Sequence, residues 1–150
     1  MNDLRPVALK SAATKVFERV ALKHFRVLVT DFLDPWQFAY RRNGSVEDAV
    51  LHVLNSIYAH LDKPGTYIRL MFFDFSSAFN TVQPHLLAEK LLKMKISAPT
   101  VLWVLDDLTS RPKYVKPGSY VTSRTICTNT GVPQGTVLSP FLFSLYTADC

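Results

Sequence analysis

Asp74 stands between Phe73 and Phe75 at the end of an apolar run from Tyr67 to Phe75, with Ser76-Ser77-Ala78-Phe79-Asn80 directly behind it. Burying a carboxylate in such surroundings costs roughly several kcal/mol unless a cation or hydrogen-bond donors compensate, and a metal ion is one such cation. The alternative is an Asp at a strand end that faces water or caps the next turn, the usual situation of this residue type. Asp74 alone leaves both open. The small residues that follow it let backbone N–H groups approach a phosphate closely. A second constellation runs from Gly131 to Pro140, GVPQGTVLSP, where two glycines and two prolines fix a loop around one amide side chain, Gln134. Read without function, it is a turn before a hydrophobic element. Arg5, Lys15 and Arg41 are cations that can meet phosphates, or merely solvated surface.

The elements that position these residues follow from periodicity and breakers. Leu9, Ala13, Val16, Phe17, Val20 and Val27 recur at helical spacing after a Ser11 cap and predict a helix packed along that face. Pro35 and Asn43-Gly44 make residues 31–44 a loop carrying aromatics and the Arg41-Arg42 pair. Ser45-Val46-Glu47-Asp48 gives a capping start, and Val46, Ala49, Val50, Val53, Leu54, Ile57 and Leu61 form an apolar stripe ended by Lys63-Pro64-Gly65. Tyr67 to Phe75 predicts a strand buried on both faces, with Asp74 near its end. Two helices follow, one after Pro84 with Leu87, Leu91 and Met94 inward, the other from Pro99 through Leu108. Tyr114-Val115 and Tyr120-Val121 around Lys116-Pro117-Gly118-Ser119 predict a hairpin in a small antiparallel ribbon. The final apolar run, Pro140 to Tyr146, has no clear type. Without regular alternation of strands and helices, the fold class is α+β.

At 150 residues the chain fits one domain. Its composition, 48% hydrophobic and 19% charged, argues against wholesale disorder. A formal net charge of +5 favours polyanions such as nucleic acid or acidic membranes. Cys127 and Cys150 lie too far apart to suggest a disulfide framework or a zinc site, which fits a reducing compartment. No apolar run is long enough for a membrane span, and Asp3 and Arg5 near the start are followed by no secretory apolar core. The expectation is a nuclear or cytoplasmic chain, neither secreted nor in a membrane.

Phe72-Phe73-Asp74-Phe75-Ser76-Ser77-Ala78-Phe79-Asn80 resembles the first palm motif of reverse transcriptases, and Gly131 to Pro140 resembles their second. Arg5-Pro6-Val7-Ala8-Leu9 with Lys15 is similar to their first fingers motif, and Gln37-Phe38-Ala39-Tyr40-Arg41 with Ser45, Asp48 and Ala49 to the next. The pattern from Leu102-Trp103 to Arg111 and Tyr114-Val115 matches the non-LTR (LINE-like) retrotransposon branch. The resemblance covers nearly the whole chain in the family's order.

It implies a right-hand polymerase fold, fingers plus incomplete palm, with fingers at about 1–64 and 91–130 and palm at about 65–90 and 131–150. The implied activity is RNA-directed DNA polymerisation, with an RNA template, a DNA primer and deoxynucleoside triphosphates as partners. Asp74 becomes the catalytic metal ligand and the Phe75 carbonyl a second ligand. Ser77 and Ala78 offer N–H groups to the triphosphate, and the ring of Phe79 disfavours a 2′-hydroxyl. Gln134 and Gly135 contact the nucleotide from the loop, and Arg5, Lys15 and Arg41 meet phosphates or template. Two Mg²⁺ ions about 3.5–4 Å apart are the usual arrangement for such transfer, and they need several carboxylates. The family's others come from an aromatic-x-Asp-Asp hairpin after the second palm motif, and no adjacent Asp pair follows Gly135 here. Asp149 is followed by Cys150 and reads as the end of a helix, while Asp106-Asp107 falls on a helix that points neighbours to different sides, so neither is assigned to metal. The expectation is a piece truncated before that hairpin and inactive alone, from a longer retroelement protein with endonuclease and thumb regions. The alternative is a nucleic-acid-binding remnant without catalysis.

Overall fold

Ser11 begins the first helix: its side chain accepts a hydrogen bond from the N–H of Thr14 at 3.2 Å, which meets one of the donors a helix start leaves unpaired. The computed structural model describes residues 7–41, 43–115 and 123–149. Helix α1 spans Ala12–Val29 and passes into a 3₁₀ turn at Thr30–Phe32. Helix α2 (Val46–Leu61) begins with a reciprocal cap in which Ser45 and Asp48 each bond the other's backbone N–H, at 3.1 and 2.9 Å. The short α3 (Ala78–Thr81) precedes α4 (Pro84–Lys93) and α5 (Ala98–Leu108), each with a proline in its first turn where no N–H is missed. Strands β1 (Arg111–Lys113) and β2 (Ile126–Thr128) pair antiparallel with Arg111 opposite Thr128, and α6 (Ser139–Tyr146) follows. Among the described residues, helices with one small two-stranded sheet give an α+β arrangement.

The core lies where α4 packs against α5 and α6. Leu87 and Leu91 of α4, Val104 and Leu108 of α5, and Leu142 and Leu145 of α6 are buried there, joined by Phe25 and Val29 from α1. Each such side chain contributes about 1.5–3 kcal/mol of transfer free energy. Trp103 of α5 ties α1 to this core, with its ring 6.4 Å from that of Phe25 and 5.6 Å from that of Phe17.

Three expectations from the sequence change. First, α1 buries Glu18, Phe25 and Val29, whereas Leu9, Val16, Phe17, Val20 and Val27 are exposed. Apolar residues occur on two sides of this helix, so periodicity does not choose the buried side; the partners α5 and the 136–138 segment do. Second, Tyr67 to Phe75 joins no sheet, and Phe72 and Phe73 are 87% and 82% exposed. A strand needs a neighbour to take its N–H and C=O groups, and the described residues supply none. Third, the ribbon is built from β1 and β2; Tyr114-Val115 lie just beyond β1 outside the ladder, and Lys116 to Val121 lie outside the described residues. Helix α2 occupies the predicted place, but none of its residues is buried. The final apolar run is helical, as α6.

Candidate functional site

The turn after Asp74 is shaped by Ser77, whose backbone is left-handed (φ 55°), an uncommon state for a residue with a Cβ. Its carbonyl accepts from the N–H of Asn80 at 2.7 Å, closing the turn into α3. The loop from Gly131 docks on this turn. The N–H of Val132 donates to the Phe79 carbonyl and that of Gly131 to the Val82 carbonyl, both at 2.7 Å. Gly131 has φ 74°, and a Cβ there would lie 2.8 Å from the Asn80 Cα and the Phe79 oxygen. Only glycine lets the two backbones approach this closely. Two segments far apart in sequence thus share one wall.

Around this wall the aromatic rings converge. Phe79 is half-buried, with its ring 5.2 Å from that of Phe143 and 6.3 Å, edge-on, from that of Tyr40. Phe75 meets Phe143 edge-on at 6.4 Å. Tyr40 itself holds a left-handed backbone (φ 60°), a conformation that costs about 1–3 kcal/mol in a residue of this kind and clusters at functional sites. Tyr40 and Arg41 line a cleft of about 240 Å³ together with Arg26, Asp34, Gln37 and Phe141. Arg41 also donates from Nη1 to the Pro35 carbonyl at 2.8 Å.

The loop is held from behind by three contacts. The buried Glu18 accepts from the N–H of Val137 and from Lys10 Nζ, both at 2.7 Å. Arg111 Nη2 donates to the carbonyls of Thr130 at 2.9 Å and Gly131 at 2.7 Å, while its Nε donates to Leu108 at the end of α5. Burial lowers the pKa of this guanidinium from its usual value, with Asp107 opposing the change. Third, the N–H of Ala8 donates to the Gln134 carbonyl at 2.8 Å, and a Cβ on Gly135 would meet Val7 Cγ1 at 2.7 Å.

Of the residues singled out in the sequence, Phe75, Ser77, Ala78, Phe79, Gln134 and Gly135 fall on or beside this wall. Asp74 is exposed next to it, Lys15 points outward from α1, and Arg5 lies outside the described residues. Among the described residues no three His, Cys, Asp or Glu side chains gather closely enough to hold a metal ion. Asp149 is instead ion-paired with Lys90, and Asp107 lies 3.5 Å from Lys10. Sequence reasoning gave no role to Glu18, Tyr40 or Arg111. For Glu18 a signal existed, its place at helical spacing on the same side of α1 as Phe25 and Val29.

Residues 1–150 match the family described as Reverse transcriptase (RNA-dependent DNA polymerase). The chain is 31% identical over 151 residues to a probable RNA-directed DNA polymerase from transposon BS of Drosophila melanogaster, covering 99% of this chain and 16% of that protein. It is 30% identical to the RNA-directed DNA polymerase from mobile element jockey of Drosophila funebris, covering 99% of this chain and 16% of that protein. A probable RNA-directed DNA polymerase from transposon X-element of Drosophila melanogaster is 29% identical, over 97% of this chain and 16% of its own length. The chain therefore spans a small part of the relatives it matches. No solved structure matches it. Among the described residues no helix is long and apolar enough to cross a membrane.

Proposed function

Because the chain belongs to the reverse transcriptase (RNA-dependent DNA polymerase) family, we propose that it supplies the nucleotide-binding wall of a longer retroelement polymerase that copies RNA into DNA. The observation that carries this reading is the seating of the Gly131 loop on the Phe79 to Val82 turn through two 2.7 Å hydrogen bonds. That seating joins the turn that carries Phe79, five residues after Asp74, to the loop that carries Gln134. In this reading the chain has a right-hand polymerase fold, with fingers near 1–64 and 91–130 and palm near 65–90 and 131–150. The longer protein carries endonuclease and thumb regions and acts in the nucleus or cytoplasm on an RNA template and a DNA primer.

The roles are those that the likeness to the family implies for these positions. Phe79, wedged between Tyr40 and Phe143, is the steric gate against a 2′-hydroxyl. Ser77 and Ala78 present N–H groups to the triphosphate, while Gln134 and Gly135 contact the nucleotide from the loop. Arg41 reaches phosphate from its cleft, and Arg5 and Lys15 add charge. Asp74, with the Phe75 carbonyl, contributes part of a Mg²⁺ site, and the ions supply charge neutralisation during phosphoryl transfer when bound. One carboxylate does not complete such a site, and the 150-residue chain alone is expected to be inactive. The net charge of +5 supports a second reading, a nucleic-acid-binding remnant without catalysis.

Primer extension separates the two. The isolated chain, given an annealed primer on RNA, deoxynucleotides and Mg²⁺, is expected to add nothing. In a longer product containing it, Asp74→Asn is expected to abolish extension and Phe79→Val to admit ribonucleotides. Extension by the longer Asp74→Asn product would overturn the polymerase reading of this site.

A further inference from the structure

Lys15, Arg19, Lys23 and Arg26 occur four, four and three residues apart on α1 and therefore share one side of the helix. All four are exposed, and among the described residues none is ion-paired; the three ion pairs found there use Lys10 and Lys90. The row lies apart from the buried side, where Glu18 is already committed to Lys10 and Val137. Arg19, Lys23 and Arg26 line a groove with Leu22 and Val27, and Arg26 also lines the cleft that holds Tyr40 and Arg41. Asp34, the acidic side chain lining that cleft, accepts from the N–H of Trp36 at 2.9 Å. The cations thus form a track that ends in the cleft lined by Tyr40, whose ring lies 6.3 Å from that of Phe79.

We propose that this side of α1 binds the sugar-phosphate backbone of a nucleic-acid strand and leads it toward the Tyr40 and Phe79 rings. The scale fits. At about 1.5 Å per residue the row extends about 17 Å, one cation every 4.5–6 Å, against about 3.4 Å per phosphate along one strand of a duplex. Successive cations are therefore about one to two phosphates apart along the strand. Exposed Val16, Val20 and Val27 on another side of α1 also fit an acidic membrane surface. The continuity of the cations with the Arg26 and Arg41 cleft favours a strand that enters the cleft over a flat bilayer. The partner class rests on the polymerase reading above, but the test reads binding, so failure of catalysis and failure of this track are distinguishable.

The measurement is the affinity of the 150-residue chain for a single-stranded RNA oligonucleotide across a salt series, without deoxynucleotides or metal. The variants are Arg19→Glu/Lys23→Glu and an equal-charge control, Lys63→Glu/Lys93→Glu, with far-ultraviolet circular dichroism to show that helices persist. Expected are an affinity loss of about tenfold or more and a salt slope shallower by about 1.4, two phosphate contacts at about 0.7 each, with less than about a twofold change in the control. Equal losses in both variants would overturn the track, as would no binding by the parent chain. Loss of binding to vesicles containing phosphatidylserine with RNA affinity unchanged would assign the face to membranes instead. If Arg19→Glu/Lys23→Glu loses helicity, Arg19→Gln/Lys23→Gln takes its place, with a loss of about threefold or more supporting the proposal and no loss overturning it.

Discussion

The carboxylate of Glu18 accepts a hydrogen bond from the backbone N–H of Val137 at 2.7 Å, across 119 positions of sequence. Its other oxygen takes Lys10 Nζ at 2.7 Å. Glu18 is 3% exposed, so both oxygens exchange water for charge-assisted partners. It pins α1 to the segment that carries Gln134. Glu18→Ala strands an inward N–H and a lysine, which is 21% exposed and keeps some water. The expected loss is about 2–3 kcal/mol, within the range for hydrogen bonds to charged groups. Glu18→Gln keeps an acceptor for Val137 and is expected to lose less. Urea unfolding of the two variants beside the parent checks this; equal midpoints for all three would show that the contact contributes nothing.

Gly131 and Gly65 separate conformational strain from close approach. Both have positive φ, 74° and 77°, but a Cβ at Gly65 meets nothing within 4 Å while one at Gly131 lies 2.8 Å from backbone atoms of residues 79 and 80. A left-handed backbone costs about 1–2 kcal/mol in an L-residue. Gly65→Ala is expected to lose that much. Gly131→Ala adds a backbone displacement and is expected to lose at least about 1 kcal/mol more, read as the difference between the two unfolding midpoints.

What was legible in the sequence was local. The caps at Ser11 and Ser45, the prolines opening α4 and α5, and the inward Leu87 and Leu91 follow from rules acting within a turn or two. The unpartnered residues 66–75 show the opposite case, since β-branched and aromatic residues favour a strand only where a neighbour accepts its backbone groups. The buried side of α1 was illegible because apolar residues occupy two sides and distant partners chose between them. The site was legible as two strings of residues, 72–80 and 131–140. Its supports, Glu18, Arg111 and Tyr40, act through contacts between remote positions; the spacing of Glu18 with Phe25 and Val29 marks its side of α1 but not its partner Val137, and no local pattern carries the other two.

Acid weakens the fold by a predictable sign. Hydrogen bonding to its own backbone and then to the Ser45 side chain holds Glu47 below the usual carboxylate pKa, and hydrogen bonding from Lys90 does so for Asp149. A carboxyl whose folded pKa is depressed stabilises the fold above its unfolded value, near 4, and that contribution disappears as pH falls through the folded value. Stability is therefore expected to be level from pH 7 to about 5 and to decline below. The combined Glu47→Gln/Asp149→Asn variant should be slightly less stable than the parent at pH 7 and converge with it in acid. Parallel curves with a constant offset would show that these carboxyls are not responsible.

Phe25 and Phe73 are the same residue type in opposite surroundings, 1% and 82% exposed. Truncating a buried phenylalanine costs about 3–5 kcal/mol through lost burial and the cavity left behind, and Phe25→Ala is expected to fall in that range. Phe73 stands in a contiguous exposed run with Leu70, Met71 and Phe72, and such a patch promotes association in water. Phe73→Lys is therefore expected to leave the unfolding midpoint within about 0.5 kcal/mol of the parent and to reduce self-association in sedimentation velocity. A loss like that of Phe25→Ala would instead mean that residues 66–75 are packed in solution, and would place Asp74 in a buried setting rather than beside an open wall.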